Sequence, residues 1–182
     1  CYEKRFDVPS LEIRRLADIP VWAGETMEGI LLVRGEQGLG DQILFSSMLP
    51  DLAQLPFKVC VQVAPRLVSL FQRSFPSLVI GSDQDPVPAG TAAQTSLGSL
   101  GQFFRKSVES FKAVTHPYLI ADPVKTASYR ALLSPQGERV VGVSWKSFAK
   151  RFTTHKSIAL MDLLPIAAID HCNLVNLQYG DV

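Results

Sequence analysis

"RGEQGLGDQILF", residues 34–45, is the stretch whose reading decides the fold. It follows an apolar run, Ile30-Leu31-Leu32-Val33, sets Gly35, Gly38 and Gly40 in a turn, and places Asp41 ahead of an apolar helical pattern. A short continuous apolar run is how a strand of a parallel sheet reads when both of its faces are covered. The helix after it supplies the crossover that parallel neighbours require. Glycine lets the turn take positive φ and lets another group come close to the backbone. In open α/β sheets ligands bind outside the carboxyl ends of the strands, which is where this turn lies. "GEQGLG" departs from the G-x-G-x-x-G spacing and no G-K-[ST] follows, so dinucleotide and Walker-type nucleotide binding both lose ground. Asp41 carries two readings at this point. It is either an acid favoured by the helix dipole in a first turn, or a functional carboxylate.

Working outward, the pattern repeats. Gln42–Leu55 reads as a helix with Leu44, Phe45, Met48, Leu49, Leu52 and Leu55 on one face. Val59–Val63 reads as the next strand, Pro65 opens a helix over Arg66–Phe75 that turns Leu67, Leu70 and Phe71 inward, and Leu78–Ile80 is a third strand. Residues 81–101, rich in Gly, Pro, Ser and Thr, read as a long functional or mobile loop. Asp83 and Asp85 within it lack a third ligand nearby and read as a solvated turn, not a metal pair. Asp122-Pro123 is an N-cap and first helical residue, with the helix running to about Leu133. Pro135-Gln136-Gly137 is the candidate domain boundary. Beyond it come a strand at Val140–Ser144, a polar loop over 145–157, a helix from about Leu160 to Ile169 and a strand at Leu174–Gln178.

These elements predict an α/β protein, a doubly wound Rossmann-like parallel sheet followed by one incomplete βαβ unit. The expected division is a lead-in segment 1–29 packed on the first domain with Trp22 as its anchor, a first domain over 30–134, and the start of a second over 135–182. One βαβ unit leaves uncovered edges, so its strands should be either mobile or the seat of self-association.

Composition narrows the function classes. The 182 residues are 47% hydrophobic and 19% charged, and 18 basic against 17 acidic side chains leave a net charge of +1. A nucleic-acid partner is not expected, because its mark is a concentrated basic face. No apolar run is long enough for a transmembrane segment. Cys1, Cys60 and Cys172 are odd in number and far apart, which argues against a disulfide framework or a metal site and for a reducing cytoplasm, its membrane face included. The chain opens on Cys1, with no leader pattern, and reads as an excerpt of something larger. Of the histidines, His116 and His171 read as structural or solvated. His155 lies in the run "KSFAKRFTTHK", 146–156, for which a diphosphate loop, a plain surface loop and a nucleic-acid contact are the readings in that order.

Several stretches together carry a family resemblance. "EQGLGDQILFSSMLPDLA" resembles the opening strand, turn and helix of bacterial glycosyltransferases fused behind tetratricopeptide repeats, relatives of the heptosyltransferases. "VWAGE" (21–25) resembles their W-x-G-E lead-in, "HPYLIADP" (116–123) their P-Y-L stretch and "RVVGVSWKS" (139–147) their R-V-G-L-x-W-x-G strand. "HKSIAL" (155–160) is similar to the basic-Ser-Ile-x-Leu loop, and "LVNLQYGD" (174–181) to the S-L-Q-x-G segment.

The resemblance implies a GT-B fold, with an acceptor-side first half and a donor-side second half. It implies metal-independent transfer of a sugar from a nucleotide-diphosphate donor to a hydroxyl of a glycan or protein acceptor, with no cofactor and with tetratricopeptide repeats upstream. Asp41 then matches the general base, with Gly35, Gln37, Gly38 and Gly40 forming the acceptor-side turn. Lys156 matches the cation that neutralises the leaving diphosphate, and Trp145, Lys146 and Ser147 fall beside it. Lys146 and Ser147 stand where the family often has small residues, and its D-T-x-x-x-H-L-A-G donor stretch has no counterpart here, so the fragment alone is expected to be inactive. A non-catalytic glycan- or protein-binding module, built on residues 35–41 and 81–101, is the alternative.

Overall fold

The computed structural model describes residues 2–8, 15–111, 117–146 and 157–180. The chain forms two compact units, Cys1–Ala121 and Asp122–Val182.

In the first unit, strands β1 (Ile30–Arg34), β2 (Lys58–Val63), β3 (Val79–Ser82) and β4 (Thr91–Ser96) form one sheet in the order β3-β2-β1-β4. Every pairing is parallel. The helices are α1 (Leu39–Phe45), α2 (Leu49–Leu52), α3 (Pro65–Ser74) and α4 (Gly101–Phe104). The chain builds outward from β1 to β3 and then returns to the other side of β1. That reversal sets Arg34, the last residue of β1, opposite Ser96, the last of β4. In such sheets the reversal marks the ligand crevice. Leu31, Val33, Leu49, Val61, Val63, Phe71, Leu97 and Leu100 are fully buried in the core. Each such side chain contributes about 1.5–3 kcal/mol by leaving water.

The later part of the lead-in, from Leu16 on, is tied down by two side chains. Trp22 is buried, its indole N–H donates to the Glu25 carbonyl at 2.8 Å, and its ring lies 4.6 Å from that of Phe103. Gly24 has φ +101°, and a Cβ there would meet Phe103 at 2.9 Å, so the lead-in needs glycine for both reasons. Buried Gln94 donates to the carbonyls of Leu16 and Ile19 and accepts from the Leu16 N–H. Its backbone pairs with Pro20 and Trp22, so the lead-in covers the outer edge of β4.

Three expectations need correction. Residues 81–101 are not one loop: they hold β4 and a buried 3-10 turn, Leu97–Leu100. Thr-Ala-Ala-Gln-Thr-Ser lacks the bulky β-branched run that marks a strand, and its burial comes from neighbours it meets only in the fold. The helix expected over 42–55 is α1, a 3-10 turn at Ser46–Met48, and α2, with Pro50 at the start of α2. The change of helical pitch turns Leu44 out to 62% exposure and buries Gln42 instead. The boundary between units falls after Ala121, not at Pro135, so the helix that follows Asp122 groups with the second unit.

That second unit holds α5 (Pro123–Leu133), β5 (Arg139–Val143), α6 (Leu164–Ala167) and β6 (Cys172–Asn176). The Asp122 carboxylate caps α5, accepting the N–H groups of Val124 and Lys125 at 3.0 and 3.1 Å. β5 and β6 pair in parallel, completing the βαβ unit, with a 3-10 turn at Leu160–Leu163 leading into α6. No helix among the described residues is long and apolar enough to cross a membrane.

Candidate functional site

The glycine turn is built from the inside. The Gly35 N–H donates to the Gln62 carbonyl at 2.8 Å, extending the sheet register past the end of β1. Buried Gln42 then reaches back under the turn. Its amide N–H donates to the Glu36 carbonyl and its oxygen accepts the Ala64 N–H at 2.9 Å. A Cβ on Gly35 would sit 2.8 Å from the Gln42 side chain, which is the physical reason for glycine there.

Glu36 is buried too. One carboxylate oxygen accepts from Arg5 Nη2 at 3.0 Å and the Gly98 N–H at 2.8 Å, and the other accepts from Arg5 Nε at 3.3 Å. Arg5 further donates to Ser99 Oγ at 2.9 Å and pairs with Glu3 at 3.0 Å. The turn after β1 and the turn after β4 are therefore joined through one carboxylate, and the guanidinium that neutralises it comes from the 3-10 turn Tyr2–Asp7. A cavity of about 10 Å3 beside them, bordered by Arg34, Thr95 and Ser99, has room for about one water. The hydroxyl of Thr95 is the buried side-chain oxygen left without a partner among the described residues.

Against this internally bonded base, Asp41 stands out. It is exposed in the first turn of α1, at the carboxyl end of β1. Its carboxylate lies over Gly38, where a Cβ would come within 2.5 Å of Oδ2. Gly40 differs from its neighbours, since a Cβ there would project into open space. None of Gly35, Gly38 and Gly40 has positive φ, and at Gly35 and Gly38 close approach, not backbone conformation, is what glycine provides. Gln37 is exposed on the same turn. The structure thus brings Gly35, Gln37, Gly38, Gly40 and Asp41 together and adds Arg5, Glu36 and Gln42. Glu36 and Gln42 were in the quoted stretch, yet nothing local marks a polar side chain as buried when its partners lie at Arg5, Gly98 and Ala64.

Asp85 caps the turn after β3, accepting the Ser82 N–H at 2.7 Å, while the Gln62 amide holds the carbonyls of Asp85 and Pro86. No group of His, Cys, Asp and Glu able to hold a metal occurs among the described residues. Cys60 is buried in β2, and burial, with the nearby Asp85 charge adding to it, pushes its thiol up from the ordinary value. A thiol kept protonated in this way packs and does not react.

In the second unit, Trp145 is half-buried and Lys146 exposed, just beyond β5. The backbone N–H groups of both donate to the Gln178 side-chain oxygen, at 3.0 and 2.8 Å. Ser147, Lys156, His116 and His155 lie outside the described residues. His171 sits in the turn before β6 with φ 56°.

Protein FlbA of Caulobacter vibrioides is 29% identical over 204 residues, an alignment that takes in 99% of this chain and 34% of that protein. The chain thus spans about a third of the length of the curated relative it matches. No protein-family profile matches the chain, and no solved structure matches it.

Proposed function

We propose that these residues are part of a metal-independent GT-B glycosyltransferase that moves a sugar from a nucleotide-diphosphate donor to a hydroxyl of a glycan or protein. Asp41 serves as general base: a carboxylate within reach of the acceptor hydroxyl takes its proton as the oxygen attacks the anomeric carbon. Lys156 neutralises the diphosphate as it leaves, with Trp145, Lys146 and Ser147 beside it. The observation that carries the reading is the contrast within the glycine turn. Glu36 and Gln42 are buried and spent on holding the turn, while Asp41 is held out at the carboxyl end of β1 beside a glycine, Gly40, that packing does not require.

The test takes the longest natural chain that carries these residues and measures nucleoside diphosphate released from UDP-, GDP- and ADP-sugars, with and without EDTA. Turnover that survives EDTA and falls about a hundredfold or more in Asp41→Asn, with donor affinity unchanged, is the expected result. Equal turnover in Asp41→Asn would overturn the assignment of the base. Retention of a glycan without any turnover would favour a binding module.

A further inference from the structure

Gln178 lies two residues past β6, and every polar atom of its side chain is engaged. Its oxygen accepts from the Trp145 N–H at 3.0 Å, the Lys146 N–H at 2.8 Å and Ser144 Oγ at 3.2 Å. Its amide nitrogen donates to the carbonyls of Lys146 at 3.0 Å and Tyr179 at 3.1 Å, which uses both of its hydrogens. The surroundings fix where this amide can be. The Leu177 N–H donates to the Val143 carbonyl at 2.9 Å, and the Leu177 side chain seats so closely on Gly142 that a Cβ there would collide with it. The Asn176 side chain accepts the Gln178 N–H at 2.7 Å. On the other side of the turn, the Trp145 carbonyl accepts the Ile158 N–H at 2.9 Å.

A side chain whose donors and acceptors are all spent on its neighbours, four of the five bonds to backbone, has nothing left for a ligand. The N–H groups of Trp145 and Lys146, just past β5, point at this amide as well. We propose that Gln178 is a positioning residue. It fixes the Trp145–Lys146 turn at the carboxyl end of β5 and acts on a bound diphosphate only through that turn, which presents side chains and not its first two N–H groups. The proposal rests on the donor-side reading of the second unit given above.

The experiment is amide exchange by NMR on this chain with two variants. Gln178→Met keeps length and bulk and removes every hydrogen bond. It should speed exchange at Trp145 and Lys146 by roughly three- to tenfold, the worth of one such bond, while the β5 and β6 amides keep wild-type rates. Gln178→Glu keeps the acceptor and should leave those two amides protected. Unchanged exchange in Gln178→Met, equal loss in Gln178→Glu, or loss spread over the whole second unit would each overturn the proposal. The last would make Gln178 a fold residue. ADP, GDP and UDP at millimolar concentration separate the two ideas. Resonances of Trp145 and Lys146 should move in the wild type and not in Gln178→Met. Equal movement in both overturns the positioning role and leaves the donor reading standing. No movement in the wild type removes the donor reading, while the exchange data still decide Gln178.

Discussion

The strands β1 and β5 are both short apolar runs with one terminal arginine, Ile-Leu-Leu-Val-Arg and Arg-Val-Val-Gly-Val, in very different surroundings. Leu31, Leu32 and Val33 are fully buried, whereas Val140 is 39% exposed, and none of the described residues of the second unit is buried. A run of apolar, β-branched residues is enough to make a strand. Burial is decided by what lies on either face. In the first unit β1 is flanked by β2 and β4 and covered by helices, while in the second, among the described residues, β5 has β6 alone. Local sequence therefore specifies elements, and stability belongs to the elements that find partners.

The largest effects should fall on the better-partnered unit. Phe71 is fully buried, edge-on to Phe75 at 5.6 Å. Phe71→Ala should cost about 3–5 kcal/mol, read from urea unfolding followed by exchange at β1 and β2 amides. Val141→Ala in β5 should cost under about 1 kcal/mol, because a partly exposed side chain leaves little cavity. Equal costs would break the comparison and mean that the second unit has a core of its own.

The next effect concerns the ion pair that ties the two strand-end turns together. Arg5→Met strands a buried Glu36 carboxylate and should cost about 3 kcal/mol. Adding Glu36→Leu should recover a good part of it, since the pair's desolvation cost disappears with it. A cost under about 1 kcal/mol for Arg5→Met, the range of an exposed pair, would show that the turn after β1 holds without the lead-in segment.

Gly35 and Gly40 sharpen the contrast within a single turn. Gly35→Ala drives a Cβ into the Gln42 side chain and should cost about 1–3 kcal/mol. Gly40→Ala enters open space at a helix start, where alanine's better propensity should leave stability unchanged or raise it by up to about 1 kcal/mol. If Gly40→Ala also leaves intact the acceptor binding that the proposed function requires, close approach of a ligand is not why glycine stands there.

How much of this was legible beforehand follows from the same logic. The parallel strands β1, β2 and β3, the helix after Pro65, the Asp122 cap and the Trp22 anchor announce themselves through local patterns: apolar runs, period and capping chemistry. β4 did not, because Ala93, Gln94 and Thr95 are buried by contacts with β1 and the lead-in, not by any pattern of their own. Within the site, Asp41 and the glycines could be picked out as unusual residues at a strand-to-helix turn. Arg5, Glu36 and Gln42 could not, since a charged or amide side chain gives no sign of burial until its partners are in place. The motif stretches also divide on inspection. Gly24, Gly35, Gln42 and Tyr118, whose hydroxyl donates to the Ile43 carbonyl at 3.0 Å, hold the fold, whereas Gly40 and Asp41 have no core role.

The smallest effect distinguishes the two described cysteines. Cys60 is buried between β1 and β3, while Cys172 opens the less covered β6 and is half-exposed. Alkylation under native conditions should mark Cys172 first. Cys60 should trail by roughly a hundredfold or more, because it must wait for the sheet to open. Stability follows pH with a definite sign. The folded thiol is raised above its ordinary 9.0, by burial first and the Asp85 charge second, so the folded state holds its proton more tightly than the unfolded chain does. Its contribution is therefore fully present below pH 9.0 and is lost as pH rises through the folded value. Cys60→Ala has no thiol to ionise, so the stability gap between wild type and variant should be constant up to about pH 9 and narrow above it. A gap that stays level or widens between neutral and strongly alkaline pH would mean that the thiolate is accommodated inside the sheet, and that the first unit's core is less closed than its buried strands imply.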